Sequence, residues 1–134
     1  MFTLLSAANI DKFASEVGYQ RDYDSALKLA KEQKKMLMLL VVGDYCPWCK
    51  KFERKTLKSP PVAAKVKEDF VAVVIDKYKD KGNYPKKFFS PLIPAVFFID
   101  PASGEPLSDT VGYMKKKEFM DNIDEALAVF KKEA

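Results

Sequence analysis

Histidine is absent from this sequence, and cysteine occurs only twice. The first absence excludes Ser-His and Cys-His nucleophile pairs, together with the zinc and haem sites that need an imidazole. The second excludes a four-thiolate zinc site within one chain. No apolar run approaches the roughly 20 residues that a membrane-spanning helix needs. A strong charge of either sign is also missing: 23 Lys and Arg stand against 19 Asp and Glu, a net of +4. The basic residues are mostly Lys and are spread along the chain, whereas nucleic-acid modules gather Arg and Lys on one face between aromatics. We read the charge as solubility with some steering of partners, and expect no nucleic acid. The start, Met1 to Ala8, lacks a positive n-region and a full apolar h-region, so a complete signal peptide is not expected there. A trimmed end of one and a native start both fit.

What the chain does have is one concentrated stretch, Gly43-Asp44-Tyr45-Cys46-Pro47-Trp48-Cys49-Lys50, holding both cysteines. It follows the unbroken apolar run from Met36 to Val42, which predicts a strand buried on both faces. The polar, lysine-rich residues after it predict a helix. Cys-x-x-Cys at a strand-to-helix junction is the layout of a dithiol redox site. Unpaired N–H groups at the helix start favour a thiolate there, and the i, i+3 spacing brings the second sulfur alongside the first. Three readings stay open at this point: a reactive dithiol, a static disulfide, and a two-coordinate soft-metal site such as one for Cu(I). A two-residue loop constrains the unfolded chain very little, which argues against the static disulfide.

At 134 residues the chain is long enough for a core without disulfide staples. Residues 1–20 have weak periodicity; Phe2, Leu4 and Leu5 suggest a short strand, and Ile10 to Val17 a turn or two of helix. We expect this part to be an N-terminal extension, with residues 21–134 forming the domain. A helix is predicted from Arg21 to Lys35, capped by Asp22 or Asp24. The reactive-site helix should run from Cys46 to Lys58, and a further helix, capped by Ser59 with Pro60 at its first position, from Pro60 to Asp69. Val71 to Ile75 and Ala95 to Ile99 are two more buried strands. A short helix is expected near Pro85 to Phe89 and a turn at Asp100 to Gly104. Leu107, Asp109 and Val111 alternate with Ser108 and Thr110 as an edge strand does, and Lys115 to Lys132 is helical. The order predicts an α/β fold, a central mixed sheet flanked by helices on both faces.

Over residues 21–131 the chain resembles the thioredoxin-fold proteins. The resemblance is carried by Cys46-Pro47-Trp48-Cys49, Ile93-Pro94 before a strand, the Asp100 to Gly104 turn, and Gly112-Tyr113 before the last helix. The Cys-x-x-Cys-Lys-Lys helix and the lysines ending the first helix are most similar to a bacterial subgroup related to periplasmic thiol:disulfide interchange proteins. The resemblance implies a thioredoxin fold and a thiol–disulfide oxidoreductase, a protein-disulfide reductase or a thiol:disulfide interchange enzyme, with electron flow possible in either direction. It implies that Cys46 is the exposed nucleophile, that Cys49 is the buried resolving thiol, and that Pro47 and Trp48 tune the potential. Pro94 would be a cis-proline facing the cysteines. Ile93 would then pair with substrate as an added strand, with Tyr45, Ile93 and Tyr113 as the apolar rim.

One position departs from that pattern. Thioredoxins carry a buried acid six residues before the first cysteine, and here Leu40 stands there, which leaves Asp44 or water to accept a proton. The resemblance further implies protein disulfide or dithiol substrates, an upstream redox partner, no cofactor or metal beyond a redox-active Cys46–Cys49 disulfide, a monomer, and no membrane span. It favours the periplasm, with the cytoplasm as the other option. Two competing functions remain: a non-catalytic adaptor or chaperone gripping chains with Tyr45, Trp48, Ile93 and Tyr113, and a Cu(I)-handling dithiol protein.

Overall fold

A computed structural model describes the backbone of residues 2–133 and the side chains of residues 9–133. Four strands form one sheet in the order β2-β1-β3-β4. They are β1 (Met36–Val42), β2 (Phe70–Asp76), β3 (Ala95–Ile99) and β4 (Pro106–Val111). β1 runs parallel to β2 and antiparallel to β3, and β3 is antiparallel to β4. The sheet is therefore mixed. The three apolar runs read as buried central strands, β1, β2 and β3, are buried along their whole length, because helices or loops cover both faces, but β2 stands at the edge of the sheet rather than in its centre.

The two faces have different covers. Met36, Met38, Leu40 and Val42 pack under α1 (Phe2–Val17), α3 (Pro47–Phe52), α4 (Pro60–Asp69) and α5 (Lys116–Glu133), which send in Phe13, Cys49, Phe52, Val66 and Phe119. Leu37, Leu39 and Val41 pack on the other face under α2 (Tyr23–Gln33) and the loop holding Tyr84 and Phe88. Asp22 caps α2, its side chain accepting from the Ser25 N–H at 2.9 Å.

Several expectations are corrected. Phe2, Leu4 and Leu5 belong to α1 rather than to a strand, and the helical repeat of Ile10, Phe13, Ala14 and Val17 buries that helix's covered side. Gln20 then bridges to Val73 as a one-residue parallel neighbour of β2, which covers the sheet's edge. The reactive-site helix is not regular to Lys58. It changes to a π turn over Glu53–Leu57, with the Lys58 N–H donating to the Glu53 carbonyl at 2.9 Å. The Thr56 hydroxyl donates to the Met114 carbonyl at 2.5 Å, so the wider turn is fixed from the far side of the chain. Ser59 holds the N-cap position, but its hydroxyl donates backwards to the Thr56 carbonyl at 2.6 Å instead of capping. In β4 it is Thr110 that is buried, while Val111 is exposed at the strand's end.

Candidate active site

β1 ends at Val42, and Gly43 follows at a place where a side chain would collide: a Cβ there would lie 2.9 Å from Ile93 Cδ1. Glycine thus lets the chain leaving β1 pass close to the Ile93-Pro94 segment. Cys46 is the N-cap of α3 and Pro47 fills its first turn, where the missing N–H costs nothing. The Cys49 N–H donates to Cys46 Sγ at 3.1 Å. A backbone donor aimed at that sulfur favours its thiolate over its thiol.

The two cysteines are joined as a disulfide, with Cα atoms 5.2 Å apart. Cys46 is 9% exposed and Cys49 is fully buried. The expectation of an openly exposed Cys46 is therefore corrected: Cys46 is mostly buried, yet it is the one of the pair with any exposure. Cys46 Sγ lies 3.8 Å from the Ile93 carbonyl oxygen. The Ile93–Pro94 peptide bond is cis, and the Gly112 N–H donates to the Pro94 carbonyl at 2.8 Å, which anchors this segment beside the end of β4.

Around the sulfurs, Tyr45 is fully exposed and Trp48 largely so. Trp48 meets Tyr113 with ring centroids 5.8 Å apart, and Tyr113 sets its ring edge-on to Phe52. Lys51 holds its ammonium over both rings, 5.2 Å from the Trp48 centroid and 4.7 Å from that of Tyr113. Asp44 is engaged elsewhere, in an ion pair with Lys79, whose pKa the carboxylate raises.

The sequence reading missed two groups. Lys77 is buried after β2, donates its backbone N–H to the Val42 carbonyl at 2.8 Å and its ammonium to the Pro91 carbonyl at 3.3 Å. It links the end of β1 to the segment before Pro94. Glu53 is the other: its N–H donates to the Cys49 carbonyl, one helical turn on, and its side chain is buried. Burial raises its pKa, while the charges of Lys50 and Lys58 pull it down. The buried Tyr19 hydroxyl has no hydrogen-bond partner among the described residues, and burial together with the charge of Glu53 raises its pKa. An acid four residues after the second cysteine was the available signal for Glu53.

A family model described as thioredoxin-like matches residues 19–101, well over half of the chain. The chain belongs to the thioredoxin-like family. It is 33% identical over 102 residues to the thiol:disulfide interchange protein DsbD of Vibrio vulnificus, covering 72% of this chain and 17% of that protein. The chain thus spans about a sixth of that relative's length. A thioredoxin from Thermus thermophilus superposes with a TM-score of 0.72 at 21% identity, over 81% of this chain and 86% of that one, which shows the fold. The oxidised C-terminal domain of DsbD from Neisseria meningitidis superposes with a TM-score of 0.60 at 25% identity, over 80% of this chain and 98% of that domain.

Leu40 is fully buried between Val74 and Val96 of the neighbouring strands, and no carboxylate enters the sheet there. The buried carboxylates among the described residues are Asp76, at the end of β2, and Glu53, one helical turn after Cys49. No group of three or more His, Cys, Asp or Glu side chains suited to a metal ion is found among the described residues. Nor is any described helix long and apolar enough to cross a membrane.

Proposed function

We propose that this chain is a thiol–disulfide oxidoreductase that reduces or exchanges disulfides of protein partners through Cys46. The observation carrying this is the closed Cys46–Cys49 disulfide, of which only Cys46 reaches solvent, with the Cys49 N–H directed at its sulfur. In the reducing direction the Cys46 thiolate attacks one sulfur of a partner disulfide. A Cys46–partner bond forms, the partner's S–S bond breaks, and the departing thiolate takes a proton from water. Cys49, deprotonated, then attacks Cys46 Sγ, closing the intramolecular disulfide and releasing the second partner thiolate. The partner gains two electrons and this chain loses two. Another dithiol, the upstream redox partner, must return them before the next turn.

Glu53 is the group we assign to accept the Cys49 proton. It is one turn from Cys49 on the covered side of the helix, and a buried carboxyl with a raised pKa is a better base than an exposed one. Asp44, the acceptor suggested by proximity in sequence, has its carboxylate on Lys79. Ile93, Pro94, Tyr45, Trp48 and Tyr113 make the docking surface in this reading, with Pro47 and Trp48 tuning the potential. The compartment we propose is the periplasm, supported by the likeness to thiol:disulfide interchange proteins.

A Cys49→Ser variant should accumulate a covalent adduct through Cys46 when mixed with oxidised protein substrates, and thiols should release it. Cys46→Ser should form none and lose exchange activity. Full disulfide-reductase activity in Cys46→Ser would defeat the proposal. Alkylation of the two thiols in intact cells, with a reagent that does not cross the inner membrane, tests the compartment.

A further inference from the structure

β1, β2 and β4 end, and β3 begins, along one edge of the sheet. Val42 pairs with Asp76, Val41 with Ala95, and Ala95 with Val111. Among the described residues, the exposed large apolar side chains are Tyr45, Trp48, Tyr78, Phe89, Leu92 and Val111, ranging from 38% exposed for Phe89 to 100% for Tyr45. Trp48 belongs to the first turn of α3 and the others to loops or strand ends on that edge, and Cys46 lies among them. Ordinary surfaces scatter such side chains singly, so this concentration marks an interaction surface.

Its charge is equally one-sided. Lys51 lies over Trp48 and Tyr113, and Lys81 holds its ammonium 5.5 Å from the Phe89 centroid. Lys81 and Lys86, with Tyr84 and Phe89, line a depression of about 340 Å³. The acids of this edge are turned to internal work. Asp44 pairs with Lys79; Asp76 accepts the N–H groups of Tyr78 and Lys79; Asp80 accepts the Asp76 N–H and pairs with Arg21. Lys51, Lys81 and Lys86 form no ion pair among the described residues. The edge therefore offers aromatic rings with ammonium groups on them, while the carboxylates of Asp44, Asp76 and Asp80 are all engaged.

Resting on the proposed thiol–disulfide function, we infer that this edge selects protein partners whose reacting cysteine is flanked by acidic and apolar residues. Apolar side chains of the partner fill the depression beside Phe89 and cover the Trp48–Tyr113 pair, and its carboxylates meet Lys51, Lys81 and Lys86. Complementary charge of this kind speeds encounter and rejects basic partners. A single-stranded nucleic acid would also stack on rings beside lysines. A polypeptide is favoured because the reactive sulfur sits inside the patch and exchanges only with thiols and disulfides.

Two synthetic peptides test this. They share the same apolar residues and carry Ser where the partner's cysteine would be, one with Glu and the other with Lys on both sides. Binding to the oxidised protein is followed by Trp48 fluorescence, since the chain has one tryptophan. The Glu peptide should bind about tenfold more tightly at low ionic strength, and the gap should narrow as salt is raised. It should narrow stepwise in Lys86→Gln, Lys81→Gln and the triple variant with Lys51→Gln. Equal binding of the two peptides, preference for the Lys peptide, or displacement of the Glu peptide by an oligothymidylate of the same charge would overturn the inference. Because these peptides carry no sulfur, the result is independent of exchange chemistry. Failure of the reduced protein to react with a small uncharged disulfide would instead sink the oxidoreductase reading.

Discussion

Gly43 and Ile93 touch so closely that one added methyl group would separate them: a Cβ at Gly43 would stand 2.9 Å from Ile93 Cδ1. The contact matters because the carbonyl of Ile93 is the group 3.8 Å from Cys46 Sγ. Gly43→Ala should push the Ile93 side chain aside at a modest cost of about 1 kcal/mol, since the tip of a flexible side chain gives way. Exchange with protein disulfides should fall more than that, by about tenfold, because a small displacement of a docking group is expensive in rate. Denaturant unfolding and a reductase assay on the same samples separate the two effects. A rate loss no larger for protein substrates than for a small disulfide would count against Ile93 as a docking residue.

Lys77 is expected to act through the loop it holds. Its ammonium sits between the rings of Tyr78 and Phe89, with centroids 5.0 and 4.9 Å away, and donates to the Pro91 carbonyl. Lys77→Met keeps the aliphatic stem and removes the charge. The lost charged hydrogen bond, worth about 1.5–3 kcal/mol, is partly offset because no ammonium has to be buried. We expect a net loss of about 1 kcal/mol in unfolding experiments and faster hydrogen exchange at Gly112, whose N–H donates to the Pro94 carbonyl. Unchanged protection of that amide would show that Lys77 does not hold the segment at Pro94.

Tyr84 supports the same loop from below, donating its hydroxyl to the Lys77 carbonyl at 2.9 Å. Tyr84→Phe removes that bond without changing the ring and leaves a buried carbonyl short of a partner, at a cost of about 1–2 kcal/mol. Unfolding curves should show the loss, and the chemistry at Cys46 toward a small disulfide should be affected less than the stability. A variant as stable as the wild type would mean that water replaces the hydroxyl.

How much of this was legible in the sequence depends on how local the cause was. β1 and β3 were readable to the residue because strands covered on both faces leave unbroken apolar runs at Met36 to Val42 and Ala95 to Ile99. The cap of α2 was readable as Asp22 or Asp24 because capping involves only the next three residues, and the structure selects Asp22. The π turn at Glu53–Leu57 was not, since it depends on Thr56 reaching Met114, 58 residues away. The inward turn of Glu53 was hidden for the same reason: a regular helix pattern does not say which acid a distant segment will cover. The likeness around Cys46 and Pro94 directed attention to Leu40 as the missing acid. Where a carboxyl is in fact buried became visible only with the helix packed against α1 and the sheet.

Glu53 and Asp44 can be told apart as proton acceptors by the pH dependence of the resolving step. Burial raises the pKa of Glu53, so the folded chain keeps that proton to higher pH than the unfolded chain does. The sign follows: stability falls as pH rises from the ordinary Glu value of about 4.3 through the raised folded value. Glu53→Gln cannot ionise, so it should gain stability relative to the wild type across that window and hold the gain above it. The same change should slow closure of the Cys46–Cys49 disulfide from a trapped mixed disulfide by about a hundredfold, the scale of a lost general base. It should also remove the rise in that rate with pH which ionisation of Glu53 produces. Asp44→Asn only frees Lys79 at the surface and should shift the profile little. Stopped-flow measurement of disulfide closure through Trp48 fluorescence, repeated across pH for the three proteins, checks both. If Asp44→Asn flattened the profile and Glu53→Gln did not, the proton would leave Cys49 toward the Lys79 side of the site and the assignment of Glu53 would be wrong.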